Sequence, residues 1–88
     1  MKVMVIYYNE HQIAVHNTMW GEEKVYYDSK LMSSKTSLGG AFHVFTTEEN
    51  GELVEYEVQL GIRPFSGIGV NVWRNRVPLV AMLEPFPS

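Results

Sequence analysis

Apolar and polar side chains alternate along residues 52–60, and this alternation constrains the fold more than any other feature of the chain. Successive side chains of a β-strand point to opposite faces, so the pattern predicts a strand with one buried and one solvated face. The buried face would carry Val54, Tyr56, Val58 and Leu60, and the solvated face Glu55, Glu57 and Gln59. No stretch of the chain has a convincing helical period, so the sequence predicts an all-β protein.

Short runs of similar character fill the rest of the chain, with turn residues between them. Asn50-Gly51 is the strongest turn signal, because this pair is preferred in a two-residue type I′ hairpin loop. Weaker turn signals are Asn9-Glu10, Asp28-Ser29 and Asn75-Arg76, and Leu38-Gly39-Gly40 would let the chain cross between sheets. The predicted strands are residues 2–8, 12–19, 23–28, 30–35, 41–47, 52–62, 68–74 and 77–84.

Strands this short, separated by frequent turns and without helical crossovers, predict an antiparallel β-sandwich of seven or eight strands. A small open β-barrel is the alternative fold. The 88 residues are enough for one domain, 1–88, in which residues 85–88 form a terminus or a linker. Pro78 lacks an amide donor, so the last strand either lies at an edge or begins at that residue.

Composition argues against several classes of partner. The formal net charge of −3 disfavours nucleic acid, and the absence of cysteine excludes disulfides and thiolate metal sites. The longest apolar stretch, residues 77–83, is interrupted by Pro78 and is too short to span a membrane. The apolar run after Lys2 ends at Asn9 without a small-residue cleavage site, so we expect a cytoplasmic protein rather than a secreted one.

Catalytic and metal-binding signatures are missing from the sequence. His11 and His16 would face opposite sides of one strand, and no zinc-type spacing connects them with His43, so we expect separate surface histidines and no metal or other cofactor. No Gly-x-Ser-x-Gly motif occurs, and carboxylates on a solvated face, such as Glu55 and Glu57, make poor general acids. We therefore expect no enzymatic activity. A small hydrolase remains a third class only because serine, histidine and glutamate are all present.

Aromatic and basic residues are the candidates for contact with a partner. On a strand, one member of each adjacent tyrosine pair, Tyr7-Tyr8 and Tyr26-Tyr27, should lie outside the core, either as a contact surface or as a cross-strand pair. Trp73 is expected to pack, with Arg74 and Arg76 solubilising the turn beside it. The candidate contact residues are Trp20, Tyr26, Arg63, Trp73 and Arg74.

Two functions follow from these residues. The leading hypothesis is a non-enzymatic protein-interaction or structural module that binds a protein partner or self-associates through an edge strand. The alternative is a small-ligand or carbohydrate-binding module in which tryptophans and tyrosines form a stacking platform.

The segment Lys24-Val-Tyr-Tyr-Asp-Ser-Lys-Leu31 resembles the V-Y-x-D-G-K strand-turn-strand element of Fas apoptosis inhibitory molecule domains. The course from Gly39-Gly40 through residues 54–58 to residues 73–76 is similar in kind to the second half of that family, and about two-thirds of the chain can be aligned in this way. Ser29 and Arg76 stand where the family pattern would have glycine. The resemblance implies a compact antiparallel sandwich that acts through protein contacts, without an enzymatic site. It transfers no functional residue and no apoptotic role.

A second similarity is internal, between residues 25–31 and 72–78, which are both β-branched and aromatic runs that enter a polar turn. Hairpin chemistry alone accounts for such a similarity, so we do not interpret it as a duplication.

Overall fold

A computed structural model of the chain describes residues 2–18, 20–37, 40–63 and 67–83. These residues contain eight strands and no helix. The strands are β1 (Lys2–Tyr8), β2 (His11–Asn17), β3 (Glu22–Tyr27), β4 (Lys30–Thr36), β5 (Phe42–Glu49), β6 (Glu52–Arg63), β7 (Gly67–Arg74) and β8 (Val77–Ala81). The eight predicted strands are confirmed, with ends that differ by no more than a few residues.

The strands form two four-stranded antiparallel sheets, each in the order of the chain. The first sheet contains β1 to β4 and the second contains β5 to β8. The predicted sandwich is therefore confirmed over the small open barrel. The chain passes between the sheets after β4, as predicted, although Leu38 and Gly39 lie outside the described residues. Gly40 completes this crossing with a φ of +108°, and a Cβ there would lie 2.2 Å from the Leu60 carbonyl oxygen.

Four hairpins close through two-residue turns in which both turn residues have positive φ, as type I′ geometry requires. The turns are residues 9–10, 28–29, 50–51 and 75–76, and all four were predicted turns. They lie at one end of the sandwich, because a contact between Tyr27 and Glu49 brings the ends of β3 and β5 together. We call this end the turn end. The opposite end, with Thr18, Trp20, Gly21 and the crossing between sheets, is the loop end.

The last hairpin of each sheet has the same construction. In both, one extra residue bulges from the edge strand, opposite the step from Val25 to Tyr26 in β3 and from Val72 to Trp73 in β7. The turn side chains also act alike. The amide of Gln12 donates to Asp28 Oδ1 at 2.8 Å, and the amide of Glu55 donates to Asn75 Oδ1 at 2.9 Å. The internal similarity of the sequence thus corresponds to two equivalent hairpins.

The core lies between the inner faces of the two sheets, and the apolar set predicted on β6 is part of it. Its buried residues are Ile13, Val15, Val25, Tyr27, Phe45, Val54, Tyr56, Val58, Leu60, Val70 and Val72. The opposite face of β6 differs from the prediction, because Glu57 is buried rather than solvated. Arg76 Nη1 donates to its carboxylate at 2.9 Å, and Trp73, its neighbour on β7, is also buried.

Asn71 fixes the chain that leaves β8. Its side chain is fully buried on the outer face of the second sheet, where Oδ1 accepts hydrogen bonds from the amides of Met82 (2.7 Å) and Leu83 (2.9 Å). Its Nδ2 donates to Gln59 Oε1 at 3.3 Å and to the Leu83 carbonyl oxygen at 3.4 Å. The amide thereby holds the segment after β8 against the sheet.

Candidate functional site

The candidate contact residues do not converge on one surface. Trp20 lies in the loop between β2 and β3 and is 79% exposed. Tyr26 lies on the outer face of the first sheet, where its ring meets the edge of the His16 ring at 5.0 Å. Trp73 lies on the outer face of the second sheet, only 7% exposed and stacked on Phe42 at 5.9 Å. Three aromatic rings on three separate surfaces cannot contact one small ligand together.

The two arginines of the predicted set are also apart. Arg63 ends β6 at the loop end, and its side chain lies outside the described residues. Arg74 ends β7 at the turn end, where Nη2 donates to Glu49 Oε1 at 2.7 Å. The expectation that Arg74 and Arg76 only solubilise a turn is wrong, because each pairs with a buried glutamate, Glu49 and Glu57 respectively.

Glu49 is the centre of a polar cluster that joins the two sheets at the turn end. Its buried carboxylate accepts hydrogen bonds from the Tyr27 hydroxyl of the first sheet (2.6 Å) and from the Tyr56 hydroxyl of the second (2.5 Å), both on Oε2. Arg74 binds the other oxygen. Burial by itself raises the pKa of Glu49, but the hydrogen bonds from both tyrosines and from Arg74 outweigh it and lower the pKa to about 2. Burial and the bond to Glu49 raise the pKa of both tyrosines.

The cluster continues to the surface through His11. The His11 ring stacks on Tyr27 at 5.1 Å, and its Nδ1 lies 2.6 Å from Asp28 Oδ2. This hydrogen bond raises the pKa of His11 and lowers that of Asp28. On the other side, the Arg74 guanidinium lies 4.9 Å from the centre of the Tyr8 ring, within cation–π range. Both oxygens of Glu49 have protein partners, so this carboxylate connects the two sheets and has no oxygen free for a substrate.

A second polar group joins the sheets nearer the loop end. His43 Nε2 donates to Glu23 Oε1 at 3.1 Å, and the Ser33 hydroxyl lies 2.7 Å from His43 Nδ1. The expectation of surface histidines is wrong for His43, which is completely buried, whereas His11 and His16 are partly exposed. Because β3 and β4 belong to the first sheet and β5 to the second, these bonds connect the sheets beside the crossing.

Serine, histidine and glutamate are also the residue types of a nucleophilic triad. In that chemistry the histidine exchanges protons with the substrate, so its ring must be within reach of it. The His43 side chain is 0% exposed, which leaves no path for a substrate atom to the ring. The three residues therefore form a buried connection between strands.

A cleft of about 190 Å³ opens at the loop end, next to this buried group. Glu23 reaches its floor from β3, so the same carboxylate that binds His43 also borders the cleft. The cleft is lined by Asn17, Thr18, Gly21, Glu23, Ser37, Gly40, Leu60, Gly61, Ile62 and Ile68. It combines polar and apolar side chains with three glycines. Sequence patterns gave no signal for it, because its residues come from four separate segments.

The four edge strands differ in how their free backbone groups are protected. On β4, Lys30 and Lys35 are exposed, and Lys35 Nζ donates to the Phe42 carbonyl oxygen of β5 at 2.5 Å. Pro78 removes one donor from β8. Charges and prolines of this kind prevent edge strands from pairing with other chains. Residues 3–8 of β1 contain neither a charge nor a proline.

Comparison of the chain with protein-family models, curated proteins and solved structures found no match. The resemblance to Fas apoptosis inhibitory molecule domains therefore stays a prediction. Within the described residues, no three His, Asp or Glu side chains are placed to hold a metal ion together. The same part of the chain contains no helix long and apolar enough to cross a membrane. The candidate sites are thus the β1 edge and the loop-end cleft.

Proposed function

We propose that this protein is a non-enzymatic interaction module that pairs with a second copy of itself through the free edge of β1. The observation that carries the proposal is that β1 is an edge strand whose residues 3–8 lack charge and proline. Val3, Met4, Val5 and Ile6 along it are all partly exposed. Such an edge offers an apolar strand and unpaired backbone groups to another strand.

The turn geometry identifies the backbone groups that are free. A two-residue turn makes Tyr8 and His11 a hydrogen-bonded pair, and bonded and non-bonded pairs then alternate along β1 and β2. Ile6 and Met4 are therefore bonded to β2 through their pairs with Ile13 and Val15. The amide and carbonyl groups of Val5 and Tyr7 point away from β2, toward the free edge.

This edge is complementary to itself. In an antiparallel pair centred on Val5, the free groups of Val5 meet those of Val5 in the second copy, and the pairing lies beyond the register shift between Lys2 and Met4. The only charged residue of β1 is Lys2, at its start, so the two lysines of the pair stand at opposite ends and do not repel each other. The inner-face side chains of Met4 and Ile6 would meet their counterparts and extend both cores.

Sedimentation velocity of the full chain, from about 1 μM to about 1 mM, covers the affinities of small interfaces and tests this proposal. We expect a monomer–dimer equilibrium that Val5→Lys abolishes. Val5 lies at the centre of the proposed antiparallel pair, so the two introduced lysines would face and repel each other. Val44→Lys is the matched control, since Val44 is an exposed valine on the edge strand β5 and should leave the equilibrium unchanged. A wild-type monomer at all concentrations, or equal dimerisation of Val5→Lys, would contradict the proposal.

The alternative of an aromatic stacking platform has no comparable support. Trp20, Tyr26 and Trp73 occupy separate surfaces, and Trp73 is already stacked on Phe42. Self-association through β1 therefore remains the function that the geometry supports best.

A further inference from the structure

The loop-end cleft is built around a carboxylate with one available oxygen. The side chain of Glu23 is 1% exposed, and its Oε1 accepts from His43 Nε2. Glu23 has no other side-chain hydrogen bond within the described residues, and no buried side-chain oxygen or nitrogen there lacks a partner. Oε2 therefore keeps a small accessible surface, and Glu23 is one of the residues that line the cleft.

Within the described residues, no lysine or arginine forms an ion pair with Glu23. Lys35 lies directly opposite Glu23 in the β3–β4 ladder, but its ammonium donates to the Phe42 carbonyl oxygen and forms no ion pair with Glu23. A carboxylate with so little contact to water is stabilised strongly by a cation that approaches its free oxygen. The cleft thus presents a negative charge without a full set of partners to any small molecule that enters.

The remaining walls define the rest of the ligand. One wall is polar and is held in place by the backbone, since the Ser37 amide donates to the Gly21 carbonyl oxygen (2.8 Å) and the Gly21 amide to that of Thr18 (3.0 Å). The other wall is apolar and consists of Leu60, Ile62 and Ile68. The volume of about 190 Å³ admits a small organic molecule.

We propose that the loop-end cleft binds a small primary alkylammonium compound, with the cation on Glu23 Oε2 and the alkyl chain against Leu60, Ile62 and Ile68. An ammonium fits better than a guanidinium, because a guanidinium binds both oxygens of a carboxylate and Oε1 is already occupied by His43. This site is separate from β1, so it does not depend on the proposed self-association.

Titration of the full chain with n-butylammonium, followed by amide NMR, tests the site. We expect saturable shifts of the Gly21, Gly40 and Gly61 amides, which border the cleft, and none at Gly51 in a turn at the opposite end. n-Butanol and butyrate have the same chain without the positive charge and should produce no saturable shifts. Absence of shifts with n-butylammonium, or equal shifts with n-butanol, would overturn the proposal.

Variants of the same chain then test the role of Glu23. Glu23→Gln should weaken binding of n-butylammonium at least about tenfold, the usual difference for a hydrogen bond to a charged group. Glu22→Gln is the control, because Glu22 is the neighbouring glutamate and is partly exposed. If Glu23→Gln does not fold, Ile62→Ser serves instead. The side chain of Ile62 is exposed and outside the core, so this substitution should not disturb folding. Loss of its apolar contact should weaken the binding of n-butylammonium at least about threefold. Unchanged affinity in either variant refutes the site.

Discussion

Replacing Glu49 by glutamine tests the polar cluster that joins the two sheets. In the folded protein the pKa of Glu49 falls from its ordinary value of 4.5 to about 2, and one pKa unit corresponds to about 1.36 kcal/mol. The ionised carboxylate therefore contributes about 3 kcal/mol to the free energy of unfolding at pH 7. Glu49→Gln should lose about this amount, because an amide cannot accept from Tyr27, Tyr56 and Arg74 together. For a domain of this size the melting temperature should fall by about 10–25 °C.

The pH dependence distinguishes this mechanism from simple mispacking. A carboxylate with a lowered folded pKa stabilises the protein fully above its unfolded pKa, and this contribution is lost as the pH falls through 4.5 toward 2. Urea denaturation of wild type and Glu49→Gln at pH 7 and pH 3 measures it, since the other carboxylates titrate equally in both proteins. The difference in free energy of unfolding should shrink by about 2 kcal/mol at pH 3. A difference that is below about 1 kcal/mol at pH 7, or equal at both pH values, would refute the reasoning.

Four further substitutions have expected outcomes that thermal melts or NMR can check. Gly40→Ala should lower the free energy of unfolding by at least about 2 kcal/mol, because the added Cβ would clash with the backbone at Leu60. Gly67 has a φ of +87° and no atom within 4 Å of such a Cβ, so Gly67→Ala should cost only about 1 kcal/mol. Equal effects of the two substitutions would contradict the geometry. Asp28→Asn should lower the pKa of His11 toward 6.5 in an NMR titration, and an unchanged value would show that their hydrogen bond has no influence. Asn75→Ala should lower the free energy of unfolding by about 1–2 kcal/mol, because alanine disfavours a φ of +50° and the hydrogen bond from the Glu55 amide to the Asn75 side chain is lost. An unchanged melting temperature would show that this hydrogen bond does not stabilise the fold.

The fold could be predicted because its signals are local. The alternation on β6 identified Val54 and Val58 as core residues, and Asn50-Gly51 identified a type I′ turn from two residues alone. Each hairpin has two turn residues with positive φ, and polar residues or glycine at these positions mark the turn in the sequence. The ends of the neighbouring strands could therefore be predicted from the turns. This agreement extends to Pro78, which lies on an edge strand as its missing amide requires.

The polar sites could not be predicted because they depend on contacts between the sheets. Tyr27 and Glu49 are 22 residues apart and belong to different sheets, so no spacing in the sequence connects them. On β5, either alternating set contains an aromatic residue, Phe42 with Val44 or His43 with Phe45, and the pattern does not say which set is buried. Packing against the first sheet buries the second set, and with it His43.

Glu57 shows the limit of the alternation rule itself. Its face of β6 was predicted to be solvated, and the rule is correct about which way the side chain points. Trp73 and Arg76 cover that face, because β7 and the turn after it place an indole and a guanidinium beside the carboxylate. Burial of an outward side chain thus depends on the neighbouring strands and not on the strand's own sequence.

Amide hydrogen exchange along β1, measured at low and high protein concentration, tests the proposed self-association most directly. The amides of Met4, Ile6 and Tyr8 are bonded to β2 and should be protected at both concentrations. The amides of Val5 and Tyr7 should exchange rapidly in the dilute protein and become protected as the concentration rises, because only a second strand can bond them. If Val5 and Tyr7 exchange equally fast at both concentrations, β1 is not the interface and the central claim is wrong.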